Sequence, residues 1–332
     1  MISQVFSNKF LKVVPLLVGI CLLFLGKCFA QDPMFTQFYS NPIYLNPAFS
    51  GSNKCPRIVS NYRNQWPGFS GDFITTSVSY DQYIDAIKGG LGVMLLSDQI
   101  AKTLQSNEAS LVYSYHQHLS RKFTLNFGLQ GTYIQKSVNR SNLTFGDMIH
   151  PRRGFVFSTN DVITAAPVNL FDFSTGLLGY TDKFYIGIAA HHLTEPEISL
   201  LSGSNNSSVL DTRYTAHMGT EITLGSKSIF SEENESISPS ILFVKQGDFQ
   251  QLNVGLYYSK GNYVVGAWYR EGDSFIVTLG METQLLRIGY SYDLTSSQLG
   301  TYSGGSHEIS VALKIYCAPK KKTFRTMSCP SF

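Results

Sequence analysis

The fold is decided by residues 252–292, which have the sequence LNVGLYYSKGNYVVGAWYREGDSFIVTLGMETQLLRIGYSY. Apolar residues alternate with small or polar ones in four successive rows, which begin at Leu252, Tyr263, Phe275 and Leu286. A period of two is typical of strands that place one face in an apolar medium. The breaks between rows span about two to five residues, which suits hairpin turns. Consecutive antiparallel hairpins of this kind indicate a transmembrane β-barrel.

The first 30 residues have the pattern of a secretory signal peptide. A basic start precedes an apolar run at 13–25, which is too short to span a bilayer. We place cleavage between Ala30 and Gln31. A lipoprotein interpretation would use Cys28 instead, but Lys27 stands where that signal expects a small residue.

The composition favours a barrel over a soluble β-sandwich, whose strands alternate in the same way. Charged residues make up 15% of the chain and aromatic residues 13%, whereas soluble domains average about 25% charged residues. Barrels replace outward charge with apolar residues and aromatic girdles. Removing the three signal-peptide lysines from 26 basic residues leaves 23, which equals the 23 acidic residues. This balance gives no indication of nucleic-acid binding.

We predict an all-β fold of about fourteen antiparallel strands, an even number that places both chain ends in the periplasm. The predicted strands are 56–64, 70–84, 88–97, 103–118, 122–137, 168–180, 183–193, 211–224, 237–246, 249–259, 262–270, 274–283, 285–293 and 306–316. The long connections at 138–167, 194–210 and 294–305 are all odd-numbered, as extracellular loops should be. One even connection, 225–236, is also long. A missed hairpin would change the count to twelve or sixteen.

The strand faces predicted to point inward carry a row of mixed charge. Its members are Glu108, His116, His118, Arg213, His217, Glu221, Arg270, Glu282, Arg287, Asp293, Glu308 and Lys314. We interpret them as a filled or water-lined interior with charges paired across strands; the alternative is a binding or conduction path. No spacing completes a metal site and no GxSxG motif is present, so we expect no metal, no cofactor and no catalysis.

Three cysteines remain after cleavage, Cys55, Cys317 and Cys329, and none lies in a CxxC motif. An odd number argues against a disulfide scaffold. Cys317 and Cys329 could close a short loop in an oxidising periplasm; the alternative is free thiols.

The N-terminal segment, residues 31–55, precedes a predicted barrel at 56–317 and a basic periplasmic tail at 318–332. It contains the pairs Asn41-Pro42 and Asn46-Pro47. Proline removes a backbone donor and restrains its neighbour, so the segment should be extended or turn-like rather than a strand. It is too hydrophobic for a free linker, and we expect it to pack under or inside the barrel as a plug.

Several short motifs lie outside the regular strands or at their ends. They are QDPMFTQF at 31–38, NPIYLNPAFSG at 41–51, NYRNQWP at 61–67, SYD at 79–81, GGLG at 89–92, GSHEIS at 305–310 and CPSF at 329–332. We interpret GGLG as a tight periplasmic turn. In this order and spacing the set resembles the PorP/SprF family of type IX secretion system membrane proteins of Bacteroidota, over essentially the whole mature chain.

The resemblance implies a non-enzymatic protein of the Gram-negative outer membrane, exported by its signal peptide, that helps to export or anchor large secreted proteins such as gliding adhesins. The expected partners are outer-membrane lipid and the C-terminal domain of an adhesin, other secretion components, or both, with no small-molecule substrate. The PorP-like and SprF-like branches stay open, and a passive porin-like channel is the alternative function.

The matched positions also suggest individual roles. Arg63 would pair with an acidic residue of the lumen, while Trp66 and Pro67 would anchor the outer rim. His307 and Glu308 belong to the motif at the last strand. Together with the two Asn-Pro pairs, these residues are the candidate contacts of the plug or of a partner.

Overall fold

The computed structural model describes most of the chain after residue 30. The described residues are 31–68, 71, 73–139, 143–150, 152–157, 167–199, 208–224, 235–296 and 303–315. The predicted signal peptide, the C-terminal tail and the proposed Cys317–Cys329 bond lie outside these residues. Within them, no helix is long and apolar enough to cross a membrane.

Fourteen strands form a closed antiparallel barrel, and the predicted fold class is confirmed. They are β1 (Arg57–Gln65), β2 (Phe73–Ile84), β3 (Gly89–Ile100), β4 (Leu104–His118), β5 (Thr124–Val138), β6 (Val168–Tyr180), β7 (Phe184–His191), β8 (Arg213–Thr220), β9 (Glu235–Gln246), β10 (Phe249–Lys260), β11 (Tyr263–Arg270), β12 (Ser274–Glu282), β13 (Leu286–Thr295) and β14 (Ser306–Lys314). The barrel closes where β1 pairs with β14, from Arg57↔Lys314 to Gln65↔Ser306.

Three short strands lie outside this series of fourteen. The two-residue strand Ile222–Thr223 pairs with the start of β9. A small hairpin, Ile149–His150 paired with Gly154–Phe155, lies in the connection between β5 and β6.

The four apolar rows of the sequence form the outer surface of β10 to β13. Val254 and Leu279, for example, are exposed on the outside, where lipid would cover them. The residues between them point inward and are buried, as at Asn253, Trp268 and Ile276. The alternation therefore records two environments, an apolar exterior and a packed interior.

Most of the long connections lie at one rim of the barrel, and the connection 221–234 at the opposite rim is an exception. The connections 139–167, 192–212 and 296–305 all lie at one end, which we call the loop rim. The opposite end, the turn rim, carries short turns such as 181–183 and also both ends of the strand series, because fourteen is even. In single-chain bacterial barrels this second end faces the periplasm.

The N-terminal segment fills the lumen. It contains one turn of α-helix, α1 (Pro42–Leu45), between two 3-10 turns, Phe38–Ser40 and Pro47–Phe49. Proline suits the first position of such turns because its missing N–H would have no partner there. From Phe35 to Ser52 every residue except Tyr44 is buried. We call residues 32–52 the plug.

The plug runs along the barrel from the loop rim to the turn rim. Near its start, the backbone N–H of Asp32 donates to the Gln246 side chain at the loop-rim end of β9. Near its end, the N–H of Gly51 donates to Asp81 in the turn-rim half of β2, 2.9 Å away. The chain therefore enters the lumen from the outer side and leaves it directly into β1.

Candidate functional site

The turn-rim half of the plug lies against glycines of the barrel wall. A Cβ added to Gly128 on β5 would lie 2.2 Å from the backbone nitrogen of Ala48. One added to Gly90 on β3 would lie 2.1 Å from the carbonyl oxygen of Ser50, and one on Gly176 of β6 only 2.0 Å from a side-chain oxygen of the plug. We call these three residues the glycine track. Only glycine permits so close an approach of two backbones.

Asn46 fixes the position of the plug above this track. Its side-chain nitrogen donates to the carbonyl oxygens of Leu177 and Ile188, at 3.0 and 3.1 Å. Its side-chain oxygen accepts from the backbone nitrogen of Ala48 at 2.9 Å and so caps the 3-10 turn that begins at Pro47. The buried amide thus has partners on both sides, as burial of a polar group requires.

Asn41 has a similar but simpler role. Its side-chain nitrogen donates to the hydroxyl of Ser77 on β2, 2.8 Å away, and Pro42 follows it into α1. Both Asn-Pro pairs were predicted as candidate contacts. They belong to the plug, and their asparagines contact the wall.

Arg63 on β1 centres a buried charge cluster that holds the first part of the plug. Its guanidinium lies 3.0 Å from Asp293 and 3.4 Å from Glu308, and its exposed fraction is only 3%. Glu308 also accepts from the backbone nitrogens of Thr36 and Gln37, at 2.5 and 3.0 Å. Arg270 adds a second positive charge 3.1 Å from Asp293, so two cations and two carboxylates compensate one another in the cluster.

A second ion cluster holds Asp32 at the loop rim, and we call it the latch. The Nε2 atom of His192 donates to Asp32 at 2.7 Å, and its Nδ1 atom donates to Asp172 on β6 at 2.8 Å. Arg213 of β8 adds an ion pair with Asp32 at 3.1 Å. Burial opposes a charge on His192, but the two carboxylates raise its pKa to about 9. At neutral pH a charged imidazole therefore joins plug and wall.

The latch belongs to a loop that also covers the lumen. His192 begins the connection between β7 and β8, residues 192–212. Further along this connection, Ile198 and Leu210 are buried against Ile134, an inward-facing residue of β5. The described parts of this loop, 192–199 and 208–212, therefore pack on the inner face of β5, and the first residue of the loop holds the start of the plug.

Aromatic side chains fill much of the remaining lumen. Phe38 lies edge-on to Trp268 of β11 with ring centroids 4.8 Å apart, and Tyr39 meets Tyr185 of β7 at 5.7 Å. Two cavities between plug and wall measure only about 20 and about 30 Å³. Spaces of this size hold one or two water molecules.

Three of the predicted contact residues lie away from the plug. Trp66 packs edge-on against Phe73 at the loop rim, with ring centroids 5.5 Å apart, and Pro67 beside it is exposed. The side chain of His307 forms a hydrogen bond of 2.8 Å with the hydroxyl of Tyr290, in the outward-facing row of β13. These positions belong to the outer rim and the outer surface, not to the lumen.

Neither the latch nor the glycine track was predicted from the sequence. Residues 89–92, which we interpreted as a turn, lie at the start of β3, and the actual turn precedes them at 85–88. The pair of glycines at 89 and 90 was a usable signal, because glycine in a strand often marks a close backbone approach. Nothing in the local sequence identified Asp32 or His192.

Cys55, just before β1, is disulfide-bonded. No other cysteine is among the described residues, so its partner lies outside them. The predicted Cys317–Cys329 bond stays a prediction, and it requires that Cys55 bonds neither of these two cysteines.

Together, the closed barrel and its filled lumen define an outer-membrane β-barrel that is closed by its own N-terminal segment. Residues 27–313 match the family described as "Type IX secretion system membrane protein PorP/SprF". The chain belongs to this family, and the resemblance seen in its motifs is confirmed.

Solved structures share the barrel architecture at low sequence identity. Omp33 of Acinetobacter baumannii is 8% identical with a TM-score of 0.44, covering 80% of this chain and 100% of that chain. The toluene transporter TodX of P. putida is 9% identical with a TM-score of 0.43, covering 82% and 93%. A FadL homologue of Pseudomonas aeruginosa is 12% identical with a TM-score of 0.40 and the same coverage. We draw no functional argument from these similarities. No curated protein matches the chain.

Proposed function

We propose that this protein is a non-enzymatic outer-membrane component of the type IX secretion system that assists the export or surface anchoring of large secreted proteins, such as gliding adhesins. The observation that carries the proposal is the plug, which occupies the lumen between the two rims. Combined with membership of the family, a filled barrel supports a role as a membrane-embedded scaffold whose partners bind at its rims.

The filled lumen disfavours the alternative of a passive channel. A porin keeps a water-filled lumen, whereas here the plug is held at both ends. The Arg63 cluster and the latch hold the part nearest the loop rim, and the glycine track holds the part nearest the turn rim. A barrel sealed in this way should not conduct ions at rest.

The described side chains also support a role other than catalysis. Ser114 and His116 on β4 are 2.8 Å apart, a distance compatible with a nucleophile and its base. Both are buried, however, and both bond to the carbonyl oxygen of Ser50 in the plug. A substrate could reach this pair only if the plug left the lumen.

The proposed partners match the two kinds of surface. The outward apolar rows suit outer-membrane lipid, and the connections at the loop rim and turn rim would bind the C-terminal domain of an adhesin or other secretion components. The signal peptide predicted at 1–30 would deliver the chain to the periplasm.

Deleting the gene tests the proposal directly. We expect the deletion strain to lose large adhesins from its surface, measured by surface proteolysis and mass spectrometry, while unrelated barrels stay at normal levels. Expression of the full chain should restore the adhesins. Unchanged surface adhesins would contradict the proposal. Steady conductance of the purified protein in planar bilayers would favour the channel instead.

A further inference from the structure

The hairpin between β5 and β6 exposes a continuous apolar surface at the loop rim. Its two strands are short, but the backbone nitrogens of Val156 and Phe157 both donate to the carbonyl oxygen of Met148, at 3.0 and 3.2 Å. Its shape is therefore defined by its own hydrogen bonds. Four large apolar side chains are strongly exposed on it: Ile149 (48%), Phe155 (62%), Val156 (52%) and Phe157 (54%).

Two arginines lie at the turn of the same hairpin. Arg152 and Arg153 are exposed, and their backbone nitrogens donate to the ring and to the carbonyl oxygen of His150. The ring of His150 also packs against Phe157, with centroids 5.7 Å apart. Cationic and aromatic groups thus share one small tip.

The strands that carry this hairpin face the membrane close to its root. Phe171 on β6 is 73% exposed on the outer surface, and its ring lies 5.3 Å from that of Tyr133 on β5. Aromatic residues at such positions mark the interface between lipid and water. The two strands that flank the hairpin in the sequence therefore face the lipid near the loop rim.

We propose that this hairpin is a lipid-binding element, in which Phe155, Val156 and Phe157 enter the outer leaflet while Arg152 and Arg153 bind the phosphate groups of anionic lipids. Apolar and aromatic residues beside basic ones are the combination that binds membrane surfaces. The element would fix the orientation of the loop rim relative to the membrane.

The test uses the full chain carrying Val156→Cys, labelled with a bimane fluorophore, in vesicles of phosphatidylcholine with or without phosphatidylglycerol. Unsubstituted protein taken through the same labelling gives the background from native cysteines. With phosphatidylglycerol present, brominated acyl chains should quench the fluorophore and aqueous iodide should not. Arg152→Gln and Arg153→Gln should each lower, by about fivefold, the fraction of labelled hairpins that are inserted in the membrane relative to the fraction exposed to solvent. Lys102→Gln, at another loop-rim turn, should leave this ratio of inserted to exposed hairpins unchanged.

Two results would overturn the proposal. Quenching by iodide alone in both kinds of vesicle would place the hairpin in water. Protection from both quenchers would mean that the hairpin packs on protein instead.

Discussion

Replacing Gly128 with alanine should displace the plug, because the new Cβ has no space on the lumen side of β5. It would lie 2.2 Å from the backbone nitrogen of Ala48, whereas ordinary contact begins near 3.4 Å, so the plug would have to recede by about 1.2 Å. That movement also breaks the hydrogen bond of 3.1 Å from Asn126 to the carbonyl oxygen of Ala48. Overpacking and the lost bond together should cost roughly 2–4 kcal/mol.

Conductance in planar bilayers measures the effect, and Gly131→Ala provides a matched control. Gly131 lies on the same strand but faces outward, and a Cβ there would be 3.8 Å from the ring of Phe173. We expect the Gly128→Ala protein to show ion-conducting openings that are absent from the wild type and from Gly131→Ala. Heat-dependent mobility on gels shows in parallel whether each barrel is folded.

A Gly128→Ala barrel that is folded, non-conducting and as stable to urea as the wild type would refute the predicted displacement of the plug. Such a result would mean that the plug does not lie against β5. If the Gly128→Ala barrel is folded and conducts ions, displacement of the plug explains the openings, because the wall is intact.

Three further predictions concern the polar contacts. Arg63→Met should lower the free energy of unfolding in urea by about 3–5 kcal/mol, because it leaves the buried carboxylate of Glu308 without its ion pair; adding Glu308→Gln should recover part of this loss. The raised pKa of His192 means that its charge stabilises the plug fully below pH 6.5 and that this contribution disappears as the pH rises through about 9. Openings that are absent from the wild type at neutral pH should therefore appear as the pH rises over this interval, whereas His192→Asn should show no such pH response; equal pH responses would contradict the role of the latch. Mass spectrometry of non-reduced peptides should find Cys55 in a disulfide; a free Cys55 thiol would refute the bond.

The barrel was predictable because the signal for a strand is local. In β11, alternation alone assigns Tyr263 and Val265 to the outside and Trp268 to the inside. What the inward side chains touch was not predictable in the same way, because Phe38 meets Trp268 only after eleven strands have been arranged around it. Alternation gives the face of a residue but not its partner.

The glycine track shows the same limit more clearly. Gly128 and Gly176 are directly paired across β5 and β6, and this pairing is what creates a flat area for the plug. Each glycine alone looks like a weak residue of its strand. Their joint role appears only when the register is known, and β5 and β6 are separated in the sequence by the long connection 139–167.

Glu308 takes part both in the closure of the barrel and in the attachment of its plug. Glu308 is the cross-strand partner of Arg63 where the last strand meets the first, and the same carboxylate accepts the backbone of Thr36 from the opposite end of the sequence. A single strand, β14, therefore completes both the sheet and the anchor of the plug. A barrel without β14 would lack its closure and the Glu308 contact to the plug at the same time.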